Sequence, residues 1–406
     1  MKNRILIVFS LFVIQFVHGQ ELDGLIKIGL ENNPTIQKFE LQYQIASEKK
    51  KEASTLPNTE FGLGYFVSEP ETRTGAQRFK VSVKQMIPWF GSITARENYT
   101  NSLAEATYQD IVIAKRKLIA SISQVYYDVY TIKAKQRVVL ENNNLLKIYE
   151  KLALKALEVD KASAVDVLRL QMRENDLTQL HQVLEQNFIA KQTELNLLLN
   201  REKATSVSII NLLLIPENEL KISFQKLKVH PELIKYDKLY QSVEQSELLN
   251  QKEKKPMIGF GLDYVAVSER PNLSFTENGK DILMPMLSVS IPIFNKKYSS
   301  KTKQNRLTQQ KINVVKQERL NRLETMLEKA KTNRNSAKIS NATQLKNMGQ
   351  AKNAEEILLK KYETGTLDFK VVLEIQELQL KFQMNQIEAV KNYYVQTTII
   401  NYLTQQ

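Results

Sequence analysis

From Ser92 to Ile215 the chain contains neither glycine nor proline. Either residue would break or weaken a helix, so a run of this length without them is committed to long uninterrupted helices. Ile111, Leu118, Val125, Ile132, Val139 and Leu146 recur every seven positions, and Ile122 and Val129 add the intervening contact. That is a coiled-coil-like seam held over several heptads. A helix from about 92 to 158 would be ~100 Å long at about 1.5 Å per residue. Val159 to Ser163 then reads as a reversal, with Asp160 or Ser163 able to cap the helix that follows over about 162–200. Leu170, Leu177 and Leu184 mark the seam of that second helix. Residues 201–229 form a mixed connector containing Pro216.

The plan occurs twice. Asn33-Pro34, Leu56-Pro57 and Ile87-Pro88 punctuate the first half, and His230-Pro231, Lys255-Pro256 and Ile291-Pro292 punctuate the second. Residues 20–229 and 230–406 are therefore expected to be two structural repeats. Each opens with helix, continues as two strands (about 58–68 and 78–89, then about 257–268 and 282–293), and closes with two long helices. The second pair of helices is expected over about 298–362 and 367–404. Gly365, in the run Tyr362 to Asp368, supplies a left-handed residue for their reversal. Leu373, Leu380, Ile387 and Tyr394 repeat the sevenfold seam in the closing helix, whereas the arm before it is rich in Lys, Asn, Gln and Ala and should keep one wet face.

Alternation fixes the character of the strands. Phe61, Leu63, Tyr65 and Val67 share one face, with Gly62 and Gly64 on the other. Phe79, Val81, Val83 and Ile87 oppose Lys80, Ser82 and Lys84 in the same way. Strands of about 10 residues are long enough to cross a bilayer at a tilt. Apolar-out and polar-in is the pattern of a membrane barrel, which sends Lys80, Lys84 and Asp263 to the lumen. Two half-buried hairpins of a soluble domain would show the same alternation. Four strands cannot close a barrel alone, and an open edge in hydrocarbon leaves backbone groups unsatisfied. Long helical seams also need neighbours, and a ring-shaped oligomer meets both demands.

Composition excludes much else. Residues 1–19, with Lys2 and Arg4 ahead of the apolar run Ile5 to Val17, read as a secretory leader. No later apolar run approaches the roughly 20 residues of a spanning helix. The 406 residues include no Cys, which removes disulfides and thiolate metal sites. The formal charge of +13 is spread along Lys-rich helices such as 296–316, as on a solvated face, so nucleic acid is not an expected partner. His18, His181 and His230 do not suggest a shared metal site, and Met284 and Met286 fit packing better than thioether ligation. No nucleophile–base pair or phosphate-binding glycine loop is present, so neither catalysis nor a cofactor is expected.

The duplicated strand pairs ending in Ile87-Pro-Trp-Phe-Gly91 and Ile291-Pro-Ile-Phe294 resemble the TolC-type outer-membrane efflux channels of Gram-negative bacteria. So do the two reversals, 159–171 and 362–376. The resemblance spans the chain from about Glu21. It implies a mainly α fold with a β-barrel portion: a long α-helical tunnel plus four transmembrane strands per chain, closed as a trimeric 12-stranded barrel. It implies a homotrimer in outer-membrane lipid that extends into the periplasm, a periplasmic adaptor, and an inner-membrane pump of the resistance-nodulation-division type. The substrate it suggests first is heavy-metal cations, with drugs, dyes or secreted proteins as alternatives. A periplasmic adaptor or coiled-coil protein is the contrasting class, but it would lack duplicated membrane-length strands. The family pattern puts the periplasmic gate at Asp160, Ser163, Asp166, Tyr362, Gly365, Asp368 and Glu374, with Asp166 and Tyr362 able to link neighbouring helices. Leu367 replaces an Arg of some members, and Val371 replaces one of two inward acids, leaving Glu374.

Overall fold

The computed structural model describes residues 20–159, 163–217, 224–271, 273–364 and 366–405. The expected leader, Asp160 and Gly365 lie outside the described residues. The elements in order are α1 (Gln20–Asn32), α2 (Pro34–Ala53), β1 (Glu60–Tyr65), β2 (Glu71–Thr72), β3 (Gly75–Ile87), α3 (Ser92–Glu158) and α4 (Ala164–Leu198). A 3-10 turn (Phe224–Val229) leads to α5 (Pro231–Glu253), β4 (Met257–Val267), β5 (Ile282–Ser290), α6 (Lys297–Glu363) and α7 (Phe369–Thr404). Among the described residues no helix is long and apolar enough to cross a membrane. The chain divides into two compact units. One is residues 1–38, 112–230 and 320–406, and the other is residues 39–111 and 231–319.

The second unit contains an antiparallel sheet in the order β1-β3-β4-β5, with β2 folded onto the start of β3. Phe61 pairs with Val83 and Leu63 with Val81, while Val81 faces Tyr264 and Tyr264 faces Leu283. One face of the sheet is therefore apolar across all four strands, and its side chains are exposed: Leu63 is 86% accessible, Leu287 69% and Leu283 65%. The other face carries Gly62, Gly64, Lys80, Ser82, Gly259, Gly261 and Asp263. β3 begins three residues earlier than the alternation suggested, because Glu71 and Thr72 turn back to pair with Ala76 and Gly75. Gly75 sits at φ 136°, against the backbone oxygen of Ser268, where a side chain has no room. β5 stops at Ser290, just before Ile291-Pro292, since proline has no N–H to continue the ladder.

In the first unit the heptad positions are the core. Leu118, Ile122, Val125 and Val129 on α3 bury themselves against Leu25, Ile36, Leu195 and Leu199. Asn33, between α1 and α2, donates to the Leu198 carbonyl at 2.9 Å and accepts from the Thr35 N–H at 2.9 Å, so it caps α2 and ties it to α4. Further along, Val139, Leu146, Tyr149 and Ala153 meet Leu170, Leu177 and Leu184 of α4 and Phe369, Leu373 and Leu380 of α7. Within this unit α6 contributes a thinner seam, with Leu323, Leu327, Ala330 and Ala337 buried.

Gly29 of α1 lies so close to the Ile122 side chain that any larger residue must displace it. Gly29→Leu is expected to cost about 1–3 kcal/mol by overpacking. Ile122→Ala in the same chain should recover part of that loss, although alone it costs about 2–5 kcal/mol as a cavity. Urea unfolding of the single and double variants measures both.

Candidate functional site

Two groups of residues stand out, one in each unit. On the polar face of the sheet, Ser82 pairs with Asp263 and Lys84 with Gly261. Asp263 is wholly inaccessible, and its carboxylate forms an ion pair with the Lys80 ammonium. Lys80, Lys84 and Asp263 thus share one face of the sheet. The pair cancels one positive and one negative charge, which leaves Lys84 as the net charge of the three. The glycines beside them keep this face low, and Gly259 and Gly261 lie directly beneath the side chains of Met86 and Met286.

The second group surrounds the helix ends. Ser163 caps α4: its hydroxyl accepts from the Val165 N–H at 3.1 Å, and Asp166 accepts from the Ser163 N–H at 3.4 Å. This reciprocal pair satisfies two donors that a helix start leaves open. Asp166 is buried and also pairs with Arg169 at 3.5 Å. Asp368 does the same for α7, accepting from the Lys370 N–H at 2.8 Å. Tyr362 stacks edge-on against Phe369, ring centres 4.9 Å apart. Burial raises its pKa from the ordinary tyrosine value, and the charges of Asp166 and Asp368 raise it further. Its hydroxyl is buried without a hydrogen-bond partner among the described residues. Asp166 and Tyr362 therefore feel one another's field, but Asp166 is hydrogen-bonded within its own turn rather than to Tyr362. Glu374 is exposed and pairs with Lys370 at 3.8 Å, one helical turn away.

Behind Tyr362 lies a polar lock. Glu355 of α6 accepts from the Tyr149 hydroxyl of α3 at 2.7 Å and from Gln379 of α7 at 2.7 Å. Gln376 of α7 donates to both Glu355 and Tyr149, the latter at 3.1 Å. Three helices thus meet on one carboxylate. Burial raises the Tyr149 pKa, and the hydrogen bond to Glu355 raises it further. Among the described residues no group of three or more His, Cys, Asp or Glu is placed to hold a metal ion.

No protein-family model matches the chain, and no curated protein matches it. Solved structures do. CusC, whose structures show conformational changes accompanying folding and transmembrane channel formation, superposes with a TM-score of 0.78 at 13% identity, covering 95% of this chain and 92% of its own. The outer membrane protein VceC of Vibrio cholerae gives 0.75 at 14% identity, over 94% and 95% of the two chains. The open state of the MtrE outer membrane channel of Neisseria gonorrhoeae gives 0.67 at 14%, over 93% and 89%. The chain has the TolC-type outer-membrane channel fold.

Within the TolC-type fold the two departures noted in the sequence take structural form. Leu367 and Val371 are both half-buried. The Glu355 lock was not anticipated. Its trace in the sequence is the polar residue in each apolar seam: Tyr149 three positions after Leu146, and Gln376 three after Leu373.

Glu355→Ala should leave Tyr149, Gln376 and Gln379 without their common acceptor, at about 1–3 kcal/mol for each buried donor that finds no substitute. Hydrogen exchange should then accelerate in the last turns of α6 and the first of α7, with the sheet unaffected. On the sheet, Lys84→Val should be nearly neutral, while Val81→Lys puts a charge on the apolar face at about 2–4 kcal/mol near mid-bilayer. Lys80→Val should also be costly, because it strands the buried Asp263 carboxylate. Folding yields of the three variants into lipid vesicles rank them.

Proposed function

We propose that this chain is the outer-membrane channel of a tripartite efflux system, assembled as a homotrimer whose three sheets close a 12-stranded barrel. The observation that carries this reading is the sheet. It has an apolar face exposed on every strand, a small and polar face opposite, and edge strands β1 and β5 that pair on one side only. In hydrocarbon such an edge is not tolerated, so the sheet must continue into other copies of itself. The alternating strand directions fit: β5 of one copy meets β1 of the next antiparallel. The TolC-type fold over nearly the whole chain supports the same assembly.

The described helix ends then belong to the periplasmic tip, where a periplasmic adaptor docks and links the duct to an inner-membrane pump of the resistance-nodulation-division type. The capped starts of α4 and α7, at Ser163 and Asp368, fix the reversals that adjoin Asp160 and Gly365. Tyr362, with its buried hydroxyl free of partners among the described residues, is the gate residue best placed to bond across a neighbouring copy. The lumen pair Lys80–Asp263 is neutral and Glu374 is matched by Lys370, so the wall leaves the choice of cargo to the pump. Heavy-metal cations remain the first candidate, and an acidic attraction for them would rest on Glu374 alone.

Native mass measurement of the detergent-extracted protein should give three chains, with a β-rich spectrum component lost on monomerisation. A stable folded monomer that retains all of its strand signal overturns the reading.

A further inference from the structure

Where β3 and β5 end and β1 and β4 begin, one edge of the sheet meets the helices. Ile87 pairs with Ile258 and Ser290 with Met257, so the ends of β3, β4 and β5 lie at one level, and β1 begins three residues inward, where Glu60 pairs with Lys84. Large apolar side chains stand exposed just beyond it: Phe90 at 78%, Ile293 at 72% and Phe294 at 99% accessibility. Nothing in the chain covers them among the described residues.

The charge changes abruptly at the same place. Between Lys296 and Lys316 every charged side chain is basic. Lys296, Lys297, Lys303 and Arg306 are exposed, and Lys301 is half-buried. None of the five forms an ion pair among the described residues, although Lys297 lies 5.8 Å from the Tyr298 ring. Farther along the same helix the cations do find acids, Lys316 with Asp237 and Arg319 with Glu232. At the matching point of the first repeat the charges are also balanced: Glu97 pairs with Lys50 at 3.4 Å and Arg96 with Glu253 at 3.6 Å. The densest group of unmatched cations therefore follows Phe294 at the start of α6, although the exposed Lys254, Lys255 and Lys311 also form no ion pair among the described residues.

We propose that this edge binds the headgroups of anionic phospholipids, with Phe90, Ile293 and Phe294 seated at the headgroup level and Lys296, Lys297, Lys301, Lys303 and Arg306 on the phosphates. Aromatic residues favour the interface between hydrocarbon and water. A basic cluster immediately outside a membrane span is attracted to an anionic leaflet. A soluble anionic polymer would explain the cations but not the bare phenylalanines, and a zwitterionic bilayer would explain the phenylalanines but not the acid-free cations. An anionic lipid explains both. The proposal rests on the reading that the sheet spans a membrane, and goes beyond it in naming which lipid the protein selects and which residues select it.

Trp89 is the single tryptophan of the chain and lies within this edge, so it reports on the lipid beside it. The full-length oligomer is reconstituted into phosphatidylcholine vesicles that contain a minor fraction of either brominated phosphatidylglycerol or brominated phosphatidylcholine. The expected result is at least about twofold stronger quenching of Trp89 by the anionic lipid, falling as added salt screens the cations. Replacing Lys296, Lys297, Lys301, Lys303 and Arg306 with Gln should erase the preference while both lipids still quench. Replacing the four lysines with Arg should preserve it. Equal quenching of the unaltered protein by both lipids, or a preference that survives the Gln variant, overturns the proposal while leaving the membrane reading intact. So does a soluble polyanion that shifts Trp89 emission when no lipid preference exists. Quenching by neither lipid overturns the membrane reading itself.

Discussion

The sheet has two edges that nothing within the chain completes. β1 and β5 each pair on one side only, and the apolar face between them is exposed on every strand. In water that face would be a large aggregation-prone patch, and in hydrocarbon the edges would strand unpaired N–H and C=O groups. In the proposed assembly lipid covers the face and other copies of the sheet pair with the edges, which answers both problems. The remaining features of the unit are consistent with it. Glycines and small polar residues occupy the face opposite the apolar one, and the buried Asp263 is matched by Lys80 rather than left alone. A buried carboxylate without that partner would cost several kcal/mol.

The helical unit solves a different problem. A seam of Leu, Ile and Val holds α3, α4 and α7 together, but apolar contacts alone leave register loosely specified along a long helix. Polar residues set into the seams remove that freedom. Glu355 accepts hydrogen bonds from α3 and α7 at once, and Asn33 joins the start of α2 to the end of α4. Each such group is expensive to bury unless its partners are in place, so each penalises every register but one. Near the reversals the same logic appears in the caps, where Ser163 and Asp368 fix where α4 and α7 begin.

Helices were far more legible in the sequence than the pairings among them. The absence of Gly and Pro and the sevenfold seam mark α3, which runs from Ser92 to Glu158, whereas α6 contains Gly349 and has no such seam, and was bounded only by Pro292 before it and Gly365 after it. The signal for α3 is local and repeats for many turns. The strand faces were legible for the same reason, since alternation needs only neighbouring residues, but strand ends were not. β3 gains residues from the fold-back of β2, and β5 loses them at Pro292. The Lys80–Asp263 pair was beyond reach because β3 and β4 are joined through long helices, and nothing local specifies their register. The Glu355 lock was hidden likewise. Tyr149, Gln376 and Gln379 are ordinary residues until three helices bring them to one carboxylate.

The two halves of the chain share lengths more closely than they share burial. α3 and α6 are both 67 residues long, and α4 and α7 are 35 and 36. Two arms that must reverse at the same level cannot differ by a turn without putting one reversal out of reach of the other, so length is fixed by geometry. Composition is not. In the helical unit α3 turns Ile122, Val129, Val139 and Leu146 inward, while α6 keeps a narrower line of Leu323, Leu327 and alanines. Alanine and leucine at those few positions still let α6 pack, because a helix needs only one stripe of contact. The rest of its surface is then free to be Lys, Asn, Gln and Ser. In the proposed duct α3 is buried deeply enough to hold the wall together, and α6 is wet enough to form it.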